Sequence, residues 1–154
     1  EYIWKLDHMI TSQSFAKETR EGIRRIGERL LILGNELYSS YFLSEYMNKV
    51  NKKKCYGHPA IVFTMMAYHL NIPKSTAVLS YLFSSITSII QNSIRGIPLG
   101  QTEGQQLIKE CQPIVKECLK MIDKLTEEDF GITLPGVEIS QMRHENLNIR
   151  IFMS

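Results

Sequence analysis

The chain has 154 residues, of which 44% are hydrophobic and 22% charged, with a net charge of +2. The length suits one ordinary domain and the composition excludes a disordered chain. So small a net charge, with no long basic stripe, does not imply a nucleic-acid-binding surface. Cys55, Cys111 and Cys118 are odd in number and lack framework spacing. They read as reduced thiols of a cytoplasmic protein. No signal peptide is legible, and the opening at Glu1 without Met reads as a piece of a longer protein.

In chain order, residues 1–10 read as the end of a helix with Ile3, Leu6, Met9 and Ile10 on one side. Residues 11–14 form a polar break in which Ser14 is placed to cap the next helix. From Phe15 to Leu33, apolar residues fall at Phe15, Ile23, Ile26, Leu30 and Leu33, with Glu21/Arg25 and Arg24/Glu28 as exposed pairs. Gly34-Asn35 signals the stop. Gly22 and Gly27 inside this helix cost roughly 1 kcal/mol each relative to Ala, so the close approach of a neighbour is expected there. A third helix over 38–50 leads to the solvated cluster Lys52-Lys53-Lys54. Gly57-His58-Pro59 opens a fourth helix running to about Leu70.

Asn71-Ile72-Pro73 ends that helix, and Pro73 with Ser75 starts a fifth. Its residues 75–94 carry no charge, which is membrane-span length, yet half of them are Ser, Thr, Asn or Gln. The expectation is a helix buried in a bundle rather than a span. Helices 59–70 and 75–94 lack a charged face, so they belong at the centre of the bundle or beneath a partner. Pro98 prevents continuation past Arg95-Gly96. Thr102 with Gln105 reads as the cap of a sixth helix, which Pro113 kinks or divides before about Leu125. Residues 126–136 read as loop, residues 137–147 as a short last helix, and 147–154 as a flexible tail. The predicted fold is all-α: a single domain over 1–154, a bundle of about six to eight helices. Strand alternation and solenoid repeats are absent from the sequence.

Catalytic motifs do not emerge. The sequence lacks a Walker A loop, a Gly-x-Ser-x-Gly elbow and a His-Glu-x-x-His zinc site; four residues beyond His144 stands Asn148. Cys55-x-x-His58 has ligand-like spacing, and those two residues are the metal candidates, although a free thiol beside a helix-start histidine also accounts for them. Cys111 and Cys118 share a helix face and read as small buried hydrophobes. No metal site and no cofactor is assigned.

Two segments carry more than packing requires. Arg95-Gly96-Ile97-Pro98-Leu99-Gly100-Gln101-Thr102-Glu103-Gly104-Gln105-Gln106 joins two long helices, and a tight turn explains neither Arg95 nor Gln101. The second is Ser140-Gln141-Met142-Arg143-His144-Glu145 with Arg150-Ile151-Phe152-Met153-Ser154. Its apolar anchors Ile149, Ile151 and Phe152 suggest a docking segment, with residues 140–154 ordering on a partner.

These segments resemble the UreF family. The first is similar to its pattern of a basic residue and then Pro-Leu-Gly-Gln-Thr-x-Gly-Gln. Glu138 to Glu145 resembles the approach to Met-x-His-Glu, and Arg150 to Ser154 resembles the ending Arg-Leu-Phe-Arg-Ser, with Met153 in place of the basic residue. Gly57-His58-Pro59-Ala60 also resembles the family, as does Glu18-Thr19-Arg20-Glu21 leading to Gly27 and Leu30-Leu31. The upstream family segment with Phe-Pro-x-Gly and His-Ser-x-Gly-x-Glu is not in this sequence. The resemblance implies an all-helical, dimeric, non-catalytic adaptor. With UreD, also called UreH, it recruits the GTPase UreG to apo-urease and supports nickel insertion. Arg95, Gln101, His144, Glu145, Arg150, Phe152 and Ser154 are the implied partner-contact candidates. The alternatives are a helical scaffold with other partners, or a direct nickel metallochaperone using Cys55, His58 or His144.

Overall fold

The computed structural model describes residues 2–131 and 134–148. Among the described residues there are seven α-helices and one short 3-10 turn, and no strand, so the expected all-α class is the observed one. The chain divides into two compact units, Glu1–Asn71 with Gly131–Ser154, and Ile72–Phe130. Among the described residues no helix is long and apolar enough to cross a membrane.

The first unit holds α1 (Tyr2–Ser12), α2 (Lys17–Tyr38), α3 (Tyr41–Asn51), α4 (Pro59–His69) and α7 (Pro135–His144). Its core is Leu31, Leu43, Tyr46, Cys55, Val62 and Met65, with Trp4, Leu30, Met47, Val50, Ile61 and Met66 packed around it. α4 lies against α2 and α3 and buries Val62, Met65 and Ala67, while Tyr68 near its end is exposed. Burial of its large apolar side chains supplies about 1.5–3 kcal/mol each. Pro59 takes the first helical position and His58 caps it, its Nδ1 accepting from the Ala60 N–H at 3.2 Å.

α2 departs most from its sequence reading. Its buried residues are Gly22, Gly27, Leu31 and Gly34, whereas Phe15, Ile26 and Leu33 are exposed. The helix therefore presents three glycines together with Leu31 to its neighbours. At Gly27 a Cβ would overlap the carbonyl oxygen of Gly57, so main chain lies against main chain there. Gly34 is not a stop; a Cβ there would meet the Met66 sulfur at 2.9 Å. The helix continues to Tyr38 and ends on Ser39 in the left-handed conformation (φ 44°), whose N–H donates to the Asn35 carbonyl. Tyr38 thus belongs to α2, and α3 begins at Tyr41. Nor does Ser14 cap α2, whose N-cap is Ala16, without a side-chain bond. Arg24 pairs with Glu28 at 3.3 Å as expected, while Glu21 faces Lys17 at 3.9 Å.

The second unit is a hairpin of α5 (Lys74–Gly96) and α6 (Gln101–Ile122), followed by the 3-10 turn Glu127–Asp129. Gly104 lets the two helices close up, since a Cβ there would overlap the end of Ile94. Ile90, Ile108 and Val115 are its buried hydrophobics. α5 is not a buried centre within this unit: Ile90 is its one buried residue, and Phe83 and Ile89 are exposed. The cap of α6 is Gly100 rather than Thr102, its N–H donating to the Glu103 carboxylate at 2.7 Å. Pro113 neither divides nor ends α6, which is continuous to Ile122. Cys111 and Cys118 are half-buried free thiols rather than core residues. Leu147 and Asn148 follow α7 outside any helix, and the rest of the expected tail, 149–154, lies outside the described residues.

Candidate functional site

The Arg95–Gln106 segment is the turn of the α5/α6 hairpin. α5 ends with the Ile97 N–H donating to the Ser93 carbonyl at 2.9 Å, and the Leu99 N–H donates to the Ile97 carbonyl at 2.7 Å. Gly100 and Glu103 then close the start of α6. These bonds, with the fixed φ of Pro98, tie down the backbone between the helices. Arg95 and Gln101 stand exposed on either side of that turn. A guanidinium held at a fixed turn offers a planar set of donors to a carboxylate or a carbonyl cluster.

The second segment folds back on the first turn of α2. The Glu145 carboxylate accepts from the Glu18 N–H at 3.0 Å, and His144 Nδ1 donates to the Glu18 carboxylate at 2.9 Å. Glu138 accepts from the Phe15 N–H at 3.4 Å. Residues 140–144 are thus already helical, and Glu18 meets His144 and Glu145 in space although the stretches are far apart in sequence. Free N–H groups at a helix start favour carboxylates electrostatically, and Ala16 supplies none of its own. Arg150, Phe152 and Ser154, with the anchors Ile149 and Ile151, lie outside the described residues.

Cys55 and His58 lie beside a group that the sequence reading passed over. Asp7 is fully buried and accepts three hydrogen bonds: from the Tyr46 hydroxyl at 2.8 Å, the Tyr56 N–H at 2.5 Å and the His58 N–H at 3.0 Å. Burial, the bond to Asp7 and the charge of Asp7 together push the Tyr46 hydroxyl far above its ordinary value. Burial pulls His58 below the usual imidazole range, against Asp7, which acts the other way. Burial, and then Asp7, push the Cys55 thiol up, with Lys49 opposing. Cys55 is packed in the core, and the His58 imidazole caps α4. Among the described residues no three His, Cys, Asp or Glu side chains gather as a metal site. The signal for Asp7 was present: it interrupts the apolar side of α1 one turn from Ile3 and Ile10, where a charge must find partners.

The sequence model of the UreF family matches residues 1–112. The chain belongs to the UreF family. The matched span includes the whole Arg95–Gln106 turn. Among curated relatives, the urease accessory protein UreF of Lachnoclostridium phytofermentans is 59% identical over 152 residues, covering 99% of this chain and 67% of the relative. That of Bacillus sp. (strain TB-90) is 50% identical over 150 residues, covering 97% of this chain and 66% of the relative. That of Ureaplasma parvum is 41% identical over 154 residues, covering 99% and 66%. This UreF-family chain therefore spans about two thirds of the length of the curated relatives it matches, and the alignments take in α7 as well as the hairpin.

Proposed function

We propose that this chain acts as a non-catalytic urease accessory protein in the cytoplasm, a single UreF-like domain that joins UreD/UreH, recruits the GTPase UreG and supports nickel insertion into apo-urease. The observation that carries the reading is similarity to urease accessory proteins over 97–99% of the chain at 41–59% identity. The exposed Arg95 and Gln101 at a tied turn support it, because they are polar groups that the fold itself does not use. In this reading Arg95 and Gln101 form one contact, and His144, Glu145, Arg150, Phe152 and Ser154 mark the other. The chain works as a homodimer through part of the charge-poor 59–94 region. It needs no cofactor, nucleic acid or membrane.

Co-expression of the full-length protein with UreD and UreG tests this. The expected result is retention of both partners and urease activation in a urease operon lacking its own copy. Arg95→Ala should keep UreD while weakening UreG capture by about 1–3 kcal/mol, the range for a lost interface anchor. Failure of the unaltered protein to retain UreD, or full activation without it, would overturn the reading.

A further inference from the structure

α3 ends in a turn whose sequence departs from what its backbone favours. The Lys53 N–H donates to the Val50 carbonyl and the Lys54 N–H to the Lys49 carbonyl, both at 2.9 Å. Such a pair of bonds closes a helix end through one left-handed residue, a place that glycine or asparagine ordinarily takes. Here Lys53 takes it, at φ 57°. The Lys52 N–H also donates to the Asn48 carbonyl, at 3.1 Å. The lysine cluster that reads as a solvated loop therefore has its backbone tied to the end of α3. Lys53 stands at a cleft of about 300 Å³ between α2 and α3. Leu31, Met47 and Val50 line it from the core side, with Ile32 exposed at its edge. Arg24 lines it from α2. Its partner Glu28, at 3.3 Å, makes an exposed pair one helical turn apart, which a second carboxylate can join or replace at small cost. Among the described residues no carboxylate pairs with Lys52, Lys53 or Lys54.

We propose that this cleft is a docking site for an acidic segment of a partner protein, which places a leucine-like side chain in the cleft while flanking carboxylates meet Lys53 and Arg24. Charge and shape both select that occupant. A bare phosphate chain would leave the apolar lining unused, and a wholly apolar partner would desolvate the cations without pairing them. The strained position of Lys53 fits the same reading, because glycine would close the turn more easily but would bring no ammonium to the cleft. The inference stands on the cleft alone and does not depend on the urease reading.

Binding of labelled synthetic peptides to the full-length protein, read by fluorescence anisotropy, tests it. A peptide of interleaved leucine and glutamate should bind saturably below about 1 mM, and salt at about 0.5 M should weaken it severalfold. Lys53→Gly separates docking from structure. It relieves the left-handed turn, so it should melt at or above the wild-type temperature, yet it should lose at least about fivefold in affinity. Ile32→Glu should lose about tenfold. Lys109→Ala, which removes the same charge from α6, should bind as wild type does. Unchanged affinity in Lys53→Gly would overturn the proposal, as would the absence of saturable binding by the leucine–glutamate peptide. Equal binding of an all-glutamate peptide, or binding of phosphatidylserine vesicles that Ile32→Glu leaves intact, would make the cleft a plain contact for anions and overturn it too.

Discussion

Asp7 concentrates more structural consequence than any other side chain in the first unit. Replacing it with Ala leaves a phenol and the His58 N–H buried without acceptors, and the half-buried Tyr56 N–H without its partner. Each such orphan costs about 1–3 kcal/mol, so Asp7→Ala should lower stability by about 3 kcal/mol or more in urea denaturation. Tyr46→Phe removes a single bond and should cost about 1–2 kcal/mol. An Asp7→Ala midpoint matching wild type would remove Asp7 from this role. His58 adds a pH dependence of definite sign. Burial holds its folded pKa below the ordinary 6.5, so the unfolded chain binds more protons as the pH falls through that value. Stability contributed by neutral His58 is complete above pH 6.5 and declines on acidification below it. His58→Asn keeps a good cap acceptor and should flatten that part of the stability profile, measured by melting between pH 7.5 and 5.5.

At the scale of the helices, the glycines of α2 separate two kinds of close approach. Gly27 faces the carbonyl of Gly57, which cannot move without shifting the entry to α4. Gly34 faces the end of Met66, which can. Gly27→Ala should therefore cost about 1–3 kcal/mol as overpacking. Gly34→Ala should stay close to wild type, because a helix-propensity gain of roughly 1 kcal/mol offsets the displaced methionine. Paired thermal melts of the two variants check this, and equal losses would show that both crossings are rigid. The same glycines explain how much of the element structure was legible. Pro59 and Pro98 act through their own covalent geometry, so the start of α4 and the break after α5 could be read directly. Gly34 and Thr102 could not, because their roles were decided by what lay opposite: Met66 across the helix pair, and Glu103 reaching back to Gly100. A glycine reads locally as a stop and globally as an approach, and the global demand prevailed.

For the whole molecule, the two units differ in how much they bury. The first encloses a continuous core, whereas the second keeps three hydrophobics covered along a two-helix hairpin. Amides of α5 and α6 should accordingly exchange faster than those of α3 and α4 at low concentration. If the charge-poor 59–94 region forms the homodimer interface, their protection should rise with protein concentration, alongside a dimeric mass in sedimentation. A monomer at micromolar concentration would count against that interface. Of the candidate site, the Arg95 turn was legible because a polar residue beside a proline-fixed turn has no local task. The placement of His144 and Glu145 on α2 was not, since their partner Glu18 lies more than a hundred residues away in sequence and long-range pairing leaves no periodic trace.

The stack at the base of the core makes the molecule self-reporting. Trp4 is the sole tryptophan. It lies parallel to Tyr46, with ring centroids 5.5 Å apart, and the Lys49 ammonium sits 5.5 Å from its own centroid. Its indole emission is thus tied to the docking of α1 on α3 and to the ring whose hydroxyl bonds Asp7. The hairpin and α7 contain no tryptophan. Far-ultraviolet dichroism, by contrast, sums over every helix, α5 and α6 among the longest. A chain that melts as one body will show the two signals superimposed. A chain whose hairpin loosens first will lose ellipticity while its fluorescence stays native, so an unlabelled sample in one cuvette distinguishes the two courses of unfolding.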